Sequence, residues 1–263
     1  WDELIAAARK IKQTGASPFG CTFDAHGWRS LAPITHSFST NVYTDDGLFD
    51  FTHDATVQAL EVMKQMYELA NPDVLNPGKS DAGVNDTPDE AAFAAEQVGY
   101  YVKYQNAPIR FAGTWKNPQL LRLGALPSGG AGATVFWTTG AALFRWGQNK
   151  EIAAEYMRDL TYDERIWQKS IGGGREAVGQ LPIYQSLWAE WRQAPPEWMQ
   201  NWAFLVFDQL RVSKAIRTHK FGLKQFMIAQ PYWEKYFKGE VRDPRAALRQ
   251  AMDAVLAEVK KQG

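Results

Sequence analysis

The sequence predicts an α/β fold, with strands and helices alternating along the chain, and three observations carry that expectation. Short apolar runs bounded by turn residues are separated by stretches of helical periodicity, the pattern of a layered α/β domain. Two segments, Thr87-Pro88-Asp89-Glu90 and Thr161-Tyr162-Asp163-Glu164, have the spacing of a helix-opening capping box. The 263 residues are 45% apolar and 22% charged, enough for one large core or two medium ones and too apolar for a disordered chain.

The segment from Trp1 to Ile11 is expected to be a helix. Leu4, Ala8 and Ile11 share a face, Asp2 and Glu3 sit at the positive N-terminal end, and Gly15 supplies the stop. No Ser, Thr, Asp or Asn precedes Trp1 to cap it, so we expect a longer chain upstream. Pro18 to Phe23 has the length and composition of a strand, and Asp24 to Arg29 follows as a polar, aromatic loop or helix start. Asp50 to Ala70 is the second expected helix, with Val57, Leu60, Met63 and Tyr67 in register and Asn71-Pro72 as its end. Residues 71–86 are a loop. The box at Thr87 opens a short helix, Asp89–Gln97, in which Glu90 is expected to reach back to the cap. Val98 to Tyr104, Leu120 to Leu126 and Val135 to Phe144 are the remaining strand candidates. Lys150–Leu160 is a helix, the box at Thr161 opens the next, and from Tyr184 onward the pattern is helical. Breaks are expected there at Pro195-Pro196, Pro231 and Gly239, before a terminal helix over Pro244–Val259.

This order of pieces resembles the family 1 extracellular solute-binding proteins, the carbohydrate receptors of bacterial ABC importers. Trp1-Asp2-Glu3-Leu4, Phe49-Asp50-Phe51-Thr52 with Ala59-Leu60-Glu61, Glu90-Ala91-Ala92-Phe93-Ala94-Ala95 and Gly124-Ala125-Leu126-Pro127 each resemble a family segment, in the family's order. So do Thr139-Gly140-Ala141-Ala142-Leu143 and the stretch Asn149-Lys150-Glu151 with Ala153-Ala154-Glu155. Two places depart from the pattern: Glu96 stands where a glycine usually ends the turn, and Asn106-Ala107-Pro108-Ile109 replaces a Gly-Pro-Trp. The resemblance implies a periplasmic-binding-protein-like architecture, a two-lobe clamp that closes on its ligand. Residues 1–133 and 184–263 would form most of the C-terminal lobe. Residues 134–183 would be an excursion into an N-terminal lobe whose first part is missing. A strand over Val135–Phe144 would then lack partners, so the segment expressed alone is expected to be unstable or unable to close on ligand.

A sugar site needs aromatic faces for the C–H side of the ring and fixed polar groups for the hydroxyls. Asp24, His26 and Trp28 lie in one loop that the resemblance turns toward the cleft, the plain alternative being a core Trp beside a turn Asp. Tyr104 and Asn106, at the end of a strand, and Trp115 are further expected contacts. Trp137, Thr138, Thr139 and Gly140 would line the opposite side, where the alternative is a strand with a bulge. Arg175 and Glu176 follow three glycines and suit vicinal hydroxyls or an acidic sugar, or else form an exposed turn. His219 and Phe226 complete the set, against the default of a charged helix face. Trp188, Trp191, Trp198 and Trp202 read as packing, although the chain's 11 Trp in all point to more than core filling.

Other classes are disfavoured. The 29 basic and 29 acidic residues cancel, unlike the basic excess of a nucleic-acid binder. No apolar run reaches the roughly 18 residues of a membrane span. Cys21 is the single cysteine and sits in an apolar run, so it reads as an inert buried thiol. His26, His36, His53 and His219 do not space like a metal site, and no catalytic signature occurs. The expected protein is therefore not an enzyme. The resemblance implies a monomeric periplasmic or extracellular receptor, with any lipid anchor upstream of Trp1, that needs no cofactor and hands a sugar or oligosaccharide to ABC permease subunits. A sugar-active hydrolase, a receptor for a non-sugar solute and a chemoreceptor-coupled binding protein are the alternatives.

Overall fold

In the computed structural model, which describes residues 1–24, 26–76, 87–104, 115–117, 120–136, 140–171, 180–197, 203–217 and 219–261, strands and helices alternate as expected. The described elements run α1 (Asp2–Thr14), β1 (Phe19–Phe23), α2 (Gly27–Phe38), α3 (Asp54–Leu69), a 3-10 turn (Pro72–Leu75), α4 (Pro88–Ala94), β2 (Val98–Val102) and β3 (Thr134–Phe136). There follow α5 (Lys150–Tyr162), α6 (Glu164–Ile171), α7 (Gln185–Gln193), α8 (Ala203–Arg211), β4 (Ser213–Ala215), α9 (Lys224–Phe237) and α10 (Pro244–Lys261).

Contacts divide the chain into two units. The first comprises Trp1–Tyr104, Gly124–Phe136 and Asp208–Gly263, and the second Gln105–Leu123 and Trp137–Phe207.

In the first unit, α1 starts without a side-chain cap, and its Trp1 indole N–H donates to Ser37 Oγ at 2.8 Å. Gly15 ends it in the left-handed region at φ 71°. The helix lies directly on β1. A Cβ placed at Gly20 would come within 2.1 Å of the Ala8 carbonyl oxygen, so only glycine allows this approach. β1 pairs in parallel with β2, with Phe19 opposite Val98 and Phe23 opposite Val102. β3 pairs in parallel with β4, Thr134 opposite Ser213. Parallel neighbours need long crossovers, which is why each pair joins segments far apart in sequence.

The core of this unit is aromatic. Phe49, Phe51, Phe226 and Trp233 pack ring on ring at centroid distances of 4.9–5.8 Å, and Phe23 meets Phe237 edge-on. α3 supplies Leu60, Met63 and Met66, and α10 supplies Leu248, Ala251 and Val255, all buried. Each Leu, Met or Val among them contributes about 1.5–3 kcal/mol by leaving water. Cys21 is buried here as expected, and burial pushes its thiol up to about 12.

Several boundaries differ from expectation. The Asp50 region is a turn, and α3 begins later, with His53 Nδ1 accepting from the Ala55 amide at 3.0 Å. Thr87 precedes α4 but makes no side-chain cap bond, and the Glu90 carboxylate accepts from Lys103. At the second box Thr161 still belongs to α5, donating to the Met157 carbonyl at 2.7 Å, and Asp163 accepts from the Arg165 amide at 2.9 Å. Leu120–Leu126 is not a strand: it has no ladder partner among the described residues, and the Leu126 amide donates to Gln209 Oε1. Of Val135–Phe144, only Thr134–Phe136 is a described strand, residues 140–144 are not, and 137–139 lie outside the described residues. Pro231 does not break its helix. α9 runs through it, anchored in the core by Phe226 and Ala229 on one side and Trp233 and Phe237 on the other.

The second unit has its own small core of Trp167, Ile171, Trp191 and Phe207. Trp188 stacks on Phe207 with centroids 4.9 Å apart. The Trp188 indole N–H donates to the Pro182 carbonyl at 2.6 Å, and that of Trp167 to the Thr161 carbonyl at 3.0 Å. Trp188 and Trp191 are packing residues, as their spacing suggested. Trp198 and Trp202 lie outside the described residues. No residue of α5 is buried.

Candidate functional site

The carboxyl ends of parallel strands are where ligands gather in open α/β sheets. The β1–β2 register makes such a place here. Phe23 faces Val102, so the next residues, Asp24 and Lys103, emerge side by side. Tyr101 and Lys103, two apart on one strand, share a face, and α4 covers it with Asp89 and Glu90. The result is a buried network. Lys103 Nζ lies 3.1 Å from Asp24 Oδ2 and 3.3 Å from Asp89 Oδ2, and it bonds Glu90 Oε1. Tyr101 donates to Asp89 Oδ2 at 2.5 Å.

Asp24 also organises the loop that follows it. Its Oδ1 accepts from the His26 amide at 2.8 Å and meets His26 Nδ1 at 2.9 Å. A carboxylate only accepts, so Nδ1 carries a proton. Ser30 Oγ donates to the Asp24 carbonyl at 2.5 Å, tying the loop to the first turn of α2. Gly27 packs against Trp233 so closely that a Cβ would lie 2.0 Å from the indole, which fixes where α2 begins.

From the first turn of α2, Arg29 folds back over the site. Its guanidinium carbon is 4.6 Å from the Trp28 ring centroid and 5.1 Å from that of Tyr104, and its Nη1 is 3.5 Å from Asp24 Oδ2. Such cation–π contacts hold an arginine in one orientation.

The electrostatics follow the burial. Burial alone would raise the Asp24 carboxyl; the His26 hydrogen bond and the charges of Lys103 and Arg29 outweigh it and hold it at about 2. Asp89 moves the other way: burial raises it, and Lys103 offsets only part of that. Burial opposes the Lys103 charge, but Asp24, Asp89 and Glu90 together push it above the ordinary lysine value. Tyr101 rises well above a free phenol, first through burial and then through Asp89.

The expected contacts therefore separate. Asp24, His26, Trp28 and Tyr104 do come together. Asp24, however, is buried and fully engaged, so it organises the site and does not face ligand. Trp28 packs against the core and lends a ring face to Arg29. Phe226 is corrected: it is fully buried between Phe49 and Phe51, in no position to stack on a ligand. His219 serves its own turn, its Nδ1 accepting from the Phe221 amide at 3.0 Å and its Nε2 lying 4.0 Å from Asp46 Oδ2. Trp115 is half-buried and Gly140 exposed, both in the second unit. Asn106, Trp137, Thr138, Thr139, Arg175 and Glu176 lie outside the described residues. Arg29, Lys103, Asp89 and Tyr101 were not anticipated. Their signal was available: both strands of one pair end directly in a charged residue. Among the described residues no group of three His, Cys, Asp or Glu side chains is arranged to hold a metal ion, and no helix is long and apolar enough to cross a membrane.

Comparison with protein-family models gives no match, and comparison with curated protein sequences gives none either. Solved structures do match over the whole chain. The maltose-bound MalE3 of T. maritima aligns at TM-score 0.70 and 16% identity, covering 100% of this chain and 65% of that one. An ABC transporter solute-binding protein from Agrobacterium vitis S4 with bound D-mannitol aligns at 0.72 and 16%, covering 100% and 66%. Another from Thermotoga lettingae TMO, bound with alpha-D-tagatose, aligns at 0.71 and 17%, covering 97% and 63%. The chain has the fold of these ABC transporter solute-binding proteins, and it spans just under two thirds of their length.

Proposed function

We propose that this chain is the larger part of a carbohydrate receptor that binds a sugar or oligosaccharide and delivers it to an ABC importer. The observation that carries the reading is the whole-chain match to solute-binding proteins solved with maltose, D-mannitol and alpha-D-tagatose. The residues support it. At the carboxyl ends of β1 and β2 stand two aromatic rings, which suit the C–H side of a sugar ring, with an arginine fork and a histidine, which suit its hydroxyls. Residues 1–104, 124–136 and 208–263 are the C-terminal lobe in this reading, and 105–123 with 137–207 belong to the N-terminal lobe.

The protein binds and does not turn over. A glycosidase needs one carboxyl free to protonate the leaving oxygen and a second facing the sugar, and the three carboxylates at this site are committed to Lys103. The receptor works as a monomer, outside the cytoplasmic membrane, beside permease subunits that sense its ligand-bound form. Calorimetry of the full-length protein against a panel of mono- and oligosaccharides tests this. Saturable binding with the sugar recovered intact is the expected result. Released product would make it a hydrolase, and binding only of a non-sugar solute would move it to another receptor class.

A further inference from the structure

The network at the strand ends sorts its charges by depth. Asp24, Asp89 and Lys103 have side chains 1–2% exposed, while Arg29 is 26% and His26 36% exposed. Solvent thus meets donors and a ring nitrogen, with the carboxylates turned inward. Arg29 is also underused. Asp24 Oδ2 lies closer to Lys103, at 3.1 Å, than to Arg29, at 3.5 Å. Among the described residues the buried Nε of Arg29 has no hydrogen-bond partner. A buried donor left unmade is costly, and here two aromatic rings hold it in place. The first turn of α2 carries no acidic residue to neutralise the positive end of the helix.

From these observations we infer that the site selects an acidic sugar, with Arg29 forking onto the carboxylate of a uronic acid residue. The inference rests on the sugar-receptor reading and names the substrate class of that same site. A planar guanidinium matches a carboxylate through two parallel N–H···O bonds; with Nε buried, the terminal nitrogens are the donors a ligand can reach. A neutral sugar offers hydroxyls, which leave the cation unmatched. Trp28 and Tyr104 keep the fork rigid, so little freedom is lost when the ligand arrives. His26, whose Nδ1 is held by Asp24, hydrogen-bonds a hydroxyl of the same ring through Nε2.

The test is calorimetry on the full-length protein with galacturonate, glucuronate and digalacturonate, each beside its neutral counterpart, galactose, glucose and galactobiose. The acid is expected to bind at least about tenfold more tightly than its counterpart, the worth of one charge-assisted fork. Its affinity should also fall as salt is raised. Arg29→Met should erase that gap, bringing the affinity for each acid down to that for its neutral counterpart. Arg29→Lys, which keeps the charge, should retain part of it, and serves if the Met variant fails to fold. Neutral sugars binding as tightly as acids, or an Arg29→Lys variant as selective as the parent, would overturn the inference and leave the sugar receptor standing. Binding of neither acid nor neutral sugar would overturn both.

Discussion

Replacing Lys103 by Met removes the one cation that three inward-facing carboxylates share. Lys103 Nζ is 3.1 Å from Asp24 and 3.3 Å from Asp89 and is bonded to Glu90, with its side chain 2% exposed. Taking one partner from a buried ion pair typically costs about 3–5 kcal/mol, because the charge left behind is uncompensated. The Asp24 shift gives an independent scale. A carboxyl held at about 2 instead of 3.8 reflects roughly 2 kcal/mol of net favourable interaction, of which Lys103 supplies a share; Asp89 and Glu90 add to the loss. Against a typical total of about 5–15 kcal/mol, the variant would be badly weakened. The assay is urea unfolding at pH 7 followed by tryptophan fluorescence, with a fourfold variant, Lys103→Met with Asp24→Asn, Asp89→Asn and Glu90→Gln, as the control. Removing the whole network should recover most of the loss, since neutral groups need no counter-charge. The pH dependence has a definite sign. The folded Asp24 binds its proton more weakly than the unfolded one, so its contribution is present above about pH 4 and is lost as pH falls toward 2. Asp89, raised by burial, works in the opposite direction. In the Lys103→Met variant the folded Asp24 value rises, so its contribution is smaller and is fully lost at a higher pH. A loss below about 1 kcal/mol, the value of a solvated surface pair, would refute the reasoning.

His36 is buried beside Tyr43, 2.8 Å from its hydroxyl, and burial holds the imidazole down at about 4 instead of 6.5. The unfolded chain therefore binds a proton more readily between those values. Stability should fall by about 3 kcal/mol as pH drops from 6.5 to 4, and His36→Gln should flatten that slope in an unfolding series. Gly20→Ala should cost about 1–3 kcal/mol through overpacking against the Ala8 carbonyl, measured as a drop in Tm. Phe226→Ala should cost about 3–5 kcal/mol and show mainly in stability. Trp28→Ala should show mainly in sugar affinity, because it frees Arg29; equal effects of the two on binding would mean that Trp28 is only packing.

The elements legible in the sequence were those whose signal is local. α1, α3 and α10 follow from apolar periodicity with an identifiable stop, and β1 and β2 from short apolar runs between turns. What could not be seen was pairing at a distance. Glu90 has the spacing of a capping box, but its carboxylate also meets Lys103, and nothing in four residues reveals a cation on the next strand. Leu120–Leu126 has strand composition and no ladder to join. Phe226 looked like a stacking ring from its position after a charged stretch, and only the fold shows Phe49 and Phe51 closing over it. For the site, the loop from Asp24 to Trp28 was legible as aromatic and polar together. Its organisation by Lys103 depends on the β1–β2 register, which no single segment contains.

The core of the first unit is assembled from both ends of the sequence: the Phe49 amide donates to Gln225 Oε1, 176 residues away. A ribosome adding about 5–20 residues per second needs roughly 9–35 s to make that interval. For all of that time Phe49 and Phe51 wait without Phe226 and Trp233, while the whole second unit is being made. The nascent chain must carry an uncovered aromatic face through half a minute of synthesis. Holding chaperones should therefore engage it before α9 emerges, and translation stalls between the two segments should yield aggregation-prone chains rather than folded intermediates.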